Sequence, residues 1–328
     1  NMVSMQDIAD AAGVSKATVS LVLNGKSGKR VSETVRKKVE DTARGMGYRI
    51  NDVARSLRTG RTNLISILMT DISDDFFGRM ASHLQEEAMK HGFTAVISNT
   101  GESAVEFSAI VSVITAKKVD GMIAVPPQGS GAALETVLEH KIPIVQIDRH
   151  IEGLDAPYVE TDNYDITCMA LKELISCGRR KIVMISPDID VNAISERERA
   201  FRDTLSAEGC YRENLVRKTG LDDRKEVKTI LADLMDQDTE AIFFASKRTF
   251  TLAMENLPDC WRAKDITFLC FGEARSFKAL LGDRLWYIEQ PLEAMARKAF
   301  SLLLSKMKGE DTDMESVIRS SLSRQSIN

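Results

Sequence analysis

Apolar side chains near the start of the chain recur with the spacing of two short helices. One set falls at intervals of three and four residues, as on one face of a helix: Met5, Ile8, Ala9 and Ala12. Gly13 follows where that helix would end, and Ser15 stands where a second helix would be capped. Val19, Val22 and Leu23 give the second helix an inner face. The pattern predicts two helices joined by a tight turn, which is typical of a helix-turn-helix and is shared by generic helical hairpins.

A third amphipathic segment and a basic stretch come next. Ser32 can cap a helix whose apolar stripe is formed by Val35, Val39, Ala43 and Met46. The three helices together predict a small helix-turn-helix domain over residues 1–49. Residues 50–61 contain few large apolar side chains and several arginines. This segment is predicted to be a hinge, either a short helix or a flexible basic linker, because so short a helix is marginally stable alone.

From Asn63 onward, short apolar runs alternate with amphipathic segments. The predicted strands are Leu64–Met69, Thr94–Ser98, Gly121–Val125, Ile142–Ile147, Lys181–Ser186, Ala241–Ala245 and Ile266–Phe271. The predicted helices between them include Phe76–Lys90, Val105–Ala116, Asp165–Cys177, Glu196–Glu208 and Lys225–Met235. Such alternation predicts parallel sheets in an α/β fold. The length of the region, residues 62–328, suits two such sheets.

Charge is divided unevenly between these two parts. The 328-residue chain has a net charge of −4. Residues 1–62 carry 12 Lys and Arg against 6 Asp and Glu, a net charge of +6, so the remainder carries −10. A basic first module on an acidic body indicates that the first module alone approaches a polyanion such as DNA.

The cysteines and the hydropathy pattern indicate the cellular compartment of the protein. The 5 cysteines are scattered and lack metal-ligand spacing: Cys168, Cys177, Cys210, Cys260 and Cys270. They favour reduced thiols in a cytoplasmic protein and no metal site. The first residues do not resemble a signal peptide, and no apolar run approaches the ~20 residues of a membrane span. We therefore expect a cytoplasmic protein without a membrane partner.

Three stretches carry a resemblance to a known family. DIADAAGVSKATVSLVLNGK, RVSETVRKKVEDTARGMGY and NDVARSLRTGRT resemble the N-terminal segment of the LacI/GalR family of bacterial transcription regulators. The likeness is specific over the helix-turn-helix and hinge, and it continues more diffusely along the chain. One departure is the stretch of residues 25–30, GKSGKR, which is longer and more basic than the usual family connection.

The resemblance implies which residues contact DNA. Lys16, Ala17 and Leu21 occupy positions that tune base choice: Lys16 can donate to guanine, and Ala17 can contact a thymine methyl group. Other positions suit phosphate contacts or add charge, unless they are ordinary solvated residues: Ser15, Thr18, Ser20, Asn24, Lys29 and Arg30. In the hinge, the resemblance assigns minor-groove contacts to Asn51, Ala54 and Leu57, with Leu57 as the apolar wedge that bends the duplex. Reading a palindromic operator needs a homodimer.

The resemblance also implies a two-lobed periplasmic-binding-protein-like body. Lobe 1 is expected over residues 62–160 and 292–321, and lobe 2 over residues 162–290. Ligands of open α/β lobes bind beyond the carboxyl ends of the strands. That rule selects ten candidate effector-binding residues: Asp71, Ser73, Phe76, Asp148, Arg149, Asp162, Arg197, Ser246, Lys247 and Glu273. An aspartate at such a position can instead cap a helix or join the lobes, and a phenylalanine can belong to the core.

Two departures from the family bear on the effector. Asp148 and Arg197 match polar effector-contacting positions, but Ser246-Lys247 replaces an Asn-Asp pair, and Gly272-Glu273 replaces an Asp-Asp pair. Lys247 together with Arg149 and Arg197 leads to the hypothesis of an anionic effector, a sugar phosphate or sugar acid, in place of a neutral sugar.

Other classes of protein fit the sequence less well. A solute-binding protein of the same body fold would not carry a helix-turn-helix. An enzyme is not indicated, because the chain has no Walker lysine loop, no GxGxxG and no HExxH. The expected function is that of a ligand-responsive transcription regulator without a cofactor, and repression is the usual mode in the family.

Overall fold

The computed structural model describes residues 3–24, 27–48, 60–235, 237–259, 261 and 264–324, with the exception of the Lys29 side chain. The chain divides into two compact units, Asn1–Thr62 and Asn63–Asn328. The predicted hinge contacts Asn51, Ala54 and Leu57 lie outside the described residues, as does the side chain of Lys29.

The first unit contains the predicted helices. They are α1 (Met5–Ala12), α2 (Lys16–Leu23) and α3 (Glu33–Gly45), with a 3-10 turn at Gly28–Arg30. Ser15 caps α2 by accepting a hydrogen bond from the Thr18 amide at 3.1 Å, and Ser32 caps α3 in the same way. Gly13 has φ 63°, the left-handed conformation that the tight turn requires. The core of the unit is formed by Ile8, Ala9, Ala12, Val19, Val22, Val39 and Ala43.

The second unit contains twelve strands among its described residues. They are β1 (Leu64–Met69), β2 (Thr94–Asn99), β3 (Gly121–Ala124), β4 (Ile144–Ile147), β5 (Tyr158–Thr161), β6 (Ile182–Pro187), β7 (Val216–Thr219), β8 (Ala241–Phe244), β9 (Thr267–Phe271), β10 (Leu285–Glu289), β11 (Glu315–Ile318) and β12 (Ser321–Ser323). The structure thus adds five strands to the seven predicted ones.

Helices alternate with these strands. They are α4 (Asp75–Lys90), α5 (Ala104–Ala116), α6 (Gly131–Glu139), α7 (Asn163–Ser176), α8 (Asn192–Ala207), α9 (Arg224–Met235), α10 (Lys247–Glu255), α11 (Lys278–Leu281) and α12 (Leu292–Lys308). Short 3-10 turns occur at Glu213–Leu215, Arg275–Phe277 and Gly282–Arg284.

The strands form two sheets, which define two lobes. Lobe 1 has the order β11-β5-β4-β3-β1-β2 and lobe 2 the order β12-β10-β9-β8-β6-β7. All neighbouring strands are parallel except β12, which is antiparallel to β10. The chain passes from one sheet to the other after β5, between β10 and α12, and between β11 and β12. The fold is therefore α/β with parallel sheets, as the alternation of elements predicted.

Each sheet is covered by apolar helix faces. In lobe 1, Phe300 and Leu303 of α12 pack with Met80 and Leu84 of α4 over the strands. In lobe 2, α7 and α8 cover one face, and α9 and α10 the other. Helices on both faces explain why the central strands are buried along their whole length.

One predicted boundary is wrong in a way that matters for the cleft. Helix α8 begins at Asn192 and not at Glu196, so Arg197 lies in its second turn instead of at its start. The prediction left out the buried Ala193 and Ile194, which extend the apolar face backwards. Asn192 also bonds across to lobe 1, donating from Nδ2 to Glu160 at 2.8 Å and accepting from the His150 amide at 3.2 Å.

Candidate DNA-reading helix and effector cleft

Helix α2 presents a small polar surface at its N-terminal end. Lys16 and Ala17 are exposed, while Val19 and Val22 on the opposite face are buried against α1 and α3. Leu21 is half-buried. The geometry leaves the ammonium group and the methyl group free to meet base edges, which is how a recognition helix reads a major groove.

The remaining candidates near α2 also serve the helix itself. Ser15 and Thr18 pair through their hydroxyls at 2.9 Å, and the Asn24 amide donates to the Ser20 carbonyl at 2.5 Å. Ser15, Thr18, Ser20 and Asn24 therefore define the two ends of the helix. Arg30 is exposed just beyond it.

A cavity lies between the carboxyl ends of the two sheets. Its lining includes seven of the ten predicted effector residues: Phe76, Asp148, Arg149, Arg197, Ser246, Lys247 and Glu273. Phe76 and Phe77 meet edge to face and both pack on the lobe 1 core. The cleft thus has aromatic walls and charged groups from both lobes.

Asp148 is the buried acid of the cleft. It directly follows β4 with φ 69°, a conformation that few residues other than glycine adopt. Only 5% of the residue is exposed, and its carboxylate receives no hydrogen bond from the described residues; the nearest cation is Arg149 Nε at 3.7 Å. Burial raises the pKa of Asp148, since the charged form loses its hydration. A ligand hydroxyl would supply the missing donor.

Arg197 is held rigidly beside it. Its Nε donates to Asn163 Oδ1 at 2.9 Å and its Nη1 to the Ala245 carbonyl at 2.8 Å. The guanidinium stacks on Phe271, 3.5 Å from the ring centroid. Burial lowers the pKa of Arg197 to about 10. The fixed fork is oriented to donate to a ligand from its remaining N–H groups.

Arg149 carries a charge that is already balanced. Both terminal nitrogens donate to the Glu102 carboxylate at 2.7 Å, a bidentate pair largely excluded from solvent. The sequence predicted that Arg149 contributes positive charge for an anionic effector. The structure does not support that role, because Glu102 neutralises it.

Lys247 occupies space that Gly272 leaves open. Gly272 has φ 122°, and a Cβ atom placed on it would lie 2.8 Å from the Cβ of Lys247. Ser246 caps α10 by accepting from the Thr249 amide at 3.2 Å, which fixes the start of the helix that carries Lys247. A glycine at residue 272 is therefore what allows Lys247 to enter the cleft.

Among the described residues, three ion pairs cross from lobe 1 to lobe 2. Lys247 Nζ lies 2.5 Å from Asp75 Oδ2, and Arg248 Nη1 lies 2.8 Å from Asp71 Oδ2. Arg79 Nη1 lies 3.4 Å from Glu273 Oε2. Arg248 also binds Asp222 of its own lobe. These contacts hold the two lobes together beside the cavity.

Three predicted effector residues lie elsewhere. Asp71 and Ser73 line an adjoining cavity, where Ser73 donates to Asp71 and Asp71 pairs with Arg248. Asp162 accepts from the Ser320 amide at 2.8 Å and so joins two of the chain crossings.

The sequence prediction missed several residues that line the cleft: Asp75, Arg79, Glu102, Arg248 and Gln290. Glu102 follows β2 as Asp148 follows β4, so the same strand-end rule could have found it. Gln290 lies at a predicted crossing, and its buried Nε2 has no hydrogen-bond partner among the described residues. Like Asp148, it offers a polar group to a ligand.

The described residues contain no His, Cys, Asp or Glu cluster that could hold a metal ion. None of the described helices has the length and apolarity needed to cross a membrane.

Comparison with known proteins agrees with the architecture. Residues 4–55 match the family "Bacterial regulatory proteins, lacI family", and residues 65–311 match "Periplasmic binding protein domain". The transcriptional regulator DegA of Bacillus subtilis (strain 168) is 32% identical over 248 residues, which cover 74% of this chain and 72% of DegA.

Two solved structures share the fold. A lac repressor dimer bound to operator and the anti-inducer ONPF is 19% identical with a TM-score of 0.85, and the likeness covers 99% of this chain and 98% of the repressor chain. A complex of the transcriptional regulator CelR with cellobiose is 24% identical with a TM-score of 0.70, over 98% of both chains.

A helix-turn-helix joined to a two-lobed ligand-binding body defines a ligand-responsive transcription regulator. The chain belongs to the lacI family of bacterial regulatory proteins, whose curated relatives are transcriptional regulators and not enzymes.

Replacing the buried acid Asp148 should stabilise the protein when no ligand is added. We expect Asp148→Asn to unfold at higher urea concentration than the wild type at neutral pH, because burial raises the pKa of Asp148 and so its ionisation costs stability. The advantage should vanish as the pH falls below the ordinary aspartate range, where both states hold the proton. Asp238→Asn is the control, since the pKa of that exposed acid is lowered by Lys181. Lower stability of Asp148→Asn at neutral pH would contradict this account.

A side chain at residue 272 should press against Lys247 and destabilise the two-lobed body. We expect Gly272→Ala to lower the free energy of unfolding, measured by urea denaturation, by about 1–3 kcal/mol. An alanine at this position would adopt an unfavourable φ, and its Cβ would also press against Lys247. Gly153→Ala is the matched control: Gly153 also has positive φ, 78°, but a Cβ atom added to it would have no other atom within 4 Å. Equal losses in the two variants would show that Lys247 is not crowded.

Proposed function

We propose that the chain is a repressor that binds a palindromic operator as a homodimer and responds to a sugar or sugar derivative in the cleft between its lobes. The observation that carries the proposal is a cleft with buried polar groups that lack a hydrogen-bond partner among the described residues, in a chain that also contains an exposed recognition helix. Asp148 and Gln290 are those groups. Burying them without partners is unfavourable, so a ligand that supplies donors and acceptors binds there.

Sugar binding fits the composition of the cleft walls. Phe76, Phe77 and Phe271 offer apolar ring faces, while Asp148 and Arg197 offer an acceptor and a fork of donors for hydroxyl groups. The bound cellobiose in CelR supports the same class of ligand for this related fold. Lobe closure around the ligand would reposition the hinge segments at residues 50–61, including Asn51, Ala54 and Leu57, and so change the affinity for DNA. Such coupling is reciprocal: operator changes effector affinity by the same factor.

A homodimer follows from the palindrome. Two identical recognition helices related by a twofold axis read two identical half-sites. The operator-bound dimer of lac repressor supports this arrangement. Strand β2 lies at the edge of the lobe 1 sheet with Val96 exposed, which suits a contact between subunits. As a regulator of transcription, the dimer would act in the cytoplasm, where the bacterial chromosome lies.

The proposal is tested by selecting DNA. The full chain, and a truncation without residues 1–60, are each used to select binding fragments from a random duplex pool. We expect the full chain alone to select a palindrome, to bind it with two chains per duplex, and to change affinity when sugars are added. Selection without symmetry, or equal selection by the truncation, would contradict the proposal.

Lys16 should contribute specificity as well as affinity. We expect Lys16→Ala to lose about 1–3 kcal/mol of binding to the selected operator, measured by fluorescence anisotropy at fixed salt, because its exposed ammonium reads a base edge. Binding to unrelated DNA should change much less. Arg30→Ala is the comparison, since a phosphate contact there would weaken binding to all sequences equally. If Lys16→Ala weakens binding equally on all DNA sequences, Lys16 contacts only phosphate and does not read a base.

A further inference from the structure

We propose that the effector is a sugar acid, a polyhydroxylated ligand with one carboxylate, and that Lys247 selects it by binding that carboxylate in place of Asp75. This inference rests on the proposed function of the cleft as the effector site, and it adds the chemical class of the effector and the residue that determines it.

Lys247 is a cation placed inside the cleft. Its side chain is 15% exposed, and it extends from lobe 2 to Asp75 of lobe 1, a carboxylate that is 52% exposed. Gly272 provides the room for its stem. The Asp75 carboxylate occupies the position that a ligand carboxylate would take on the Lys247 ammonium.

Asp75 can give up Lys247 without being left unpaired. It lies 3.9 Å from Arg79 Nη1, one turn further along the same helix. It is also in the first turn of α4, where the helix N-terminus stabilises negative charge. A ligand carboxylate can therefore take over Lys247 while Asp75 remains stabilised by its own helix.

Three other cations of the cleft are committed to fixed protein partners, and a fourth, Arg79, pairs with Glu273 across the lobes. Glu102 binds both terminal nitrogens of Arg149, and Asp71 and Asp222 bind Arg248 from two sides. Arg197 donates to Asn163 and Ala245 and faces the charge of Asp148. Among these cations, Lys247 has the partner that is most easily exchanged.

The surrounding charge favours a carboxylate over a phosphate. Asp74, Asp148 and Glu273 line the same cleft as Lys247. A carboxylate brings one negative charge, which one ammonium balances, whereas a phosphate brings about −1.5 to −2 at neutral pH. The excess charge of a phosphate would face these acids, because the remaining cation of the described lining, Arg79, already balances Glu273 and Asp75.

The rest of the cleft suits hydroxyl groups. The Asp148 carboxylate lacks a donor, and the Gln290 Nε2 lacks an acceptor, among the described residues. Arg197 lies in the same lining with N–H groups to spare. A chain or ring of hydroxyl groups attached to one carboxylate satisfies all of these groups together.

The first experiment compares acids with their neutral parents. The full chain is titrated calorimetrically with D-glucuronate, D-galacturonate, D-gluconate and D-galactonate, with D-glucose and D-galactose, and with D-glucose 6-phosphate. We expect at least one acid to bind and its neutral parent sugar and the phosphate to bind at least tenfold more weakly. Binding of a neutral sugar or the phosphate in preference, or no binding of any of the acids, overturns the inference.

Two variants then move the affinity in opposite directions. We expect Lys247→Gln to weaken binding of the acid about 10- to 100-fold, since it removes a hydrogen bond between charged groups. We expect Asp75→Asn to tighten it roughly 2- to 5-fold, because a competing exposed ion pair is lost. Lys181→Gln is the control, as Lys181 pairs with Asp238 on the surface, outside the cleft lining. A merely structural role of the pair would weaken binding in both variants, and that result would reject the exchange.

The same ligands separate this inference from the proposed function. If a neutral sugar binds and shifts the affinity for the selected operator, the regulator proposal stands and the sugar-acid inference fails. If an acid binds through Lys247 but no ligand shifts operator affinity, the ligand class and the role of Lys247 stand, and the coupling of the cleft to DNA fails.

Discussion

The carboxyl ends of two parallel sheets face each other in the body, and the position of each polar group in the cleft follows from that constraint. Backbone ladders satisfy the polar groups of the buried strands, so the first residues free to present side chains are those just past each strand end. Asp148 follows β4, Ser246 and Lys247 follow β8, and Gly272 and Glu273 follow β9. Segments far apart in the chain are thereby brought to one cavity.

Because of the same constraint, charge pairing decides whether a charged group in the cleft is stabilised. Groups that converge in a partly dry cleft cannot rely on water, so they are held by opposite charges or remain unfavourably buried. Arg149 with Glu102, and Arg248 with Asp71 and Asp222, represent the first outcome. Asp148 lies between the two outcomes: Arg149 Nε is 3.7 Å away, but the carboxylate receives no hydrogen bond from the described residues, so a ligand that donates to it gains by binding.

The sequence predicted most of the buried strands, although it missed the buried strand β10, Leu285–Glu289. All seven predicted strands have counterparts in the structure: six are buried along most of their length, and the seventh, β2, is a partly exposed edge strand. The strands that it missed include the polar edge strand β7, Val216–Thr219, and the short antiparallel β12, Ser321–Ser323, at the opposite edge. Edge strands are covered on fewer sides, so they need no continuous apolar run and leave little signal in the hydrophobic pattern.

The sequence indicated which residues come together at the candidate site but not which of them form ion pairs. The strand-end rule located Asp148, Arg197 and Lys247. It could not show that Arg149 is neutralised by Glu102, 47 residues away, or that Lys247 reaches Asp75, 172 residues away. Glu102 meets Arg149 only when the lobe 1 sheet forms, and Asp75 meets Lys247 only when the two lobes come together, so the local sequence does not indicate either pair.

The three chain crossings also bear on the order in which the body can be completed during synthesis. The parallel strands of lobe 2, β6 to β10, come from one continuous stretch, whereas lobe 1 needs β11 and helix α12 from beyond it. A growing chain emerges from its N-terminus. Phe300 and Leu303, which fill the lobe 1 core, therefore arrive after the parallel strands of lobe 2 have been made. The lobe whose synthesis begins first is the one whose apolar surface stays uncovered longest, and that interval is when the nascent regulator depends most on protection from aggregation.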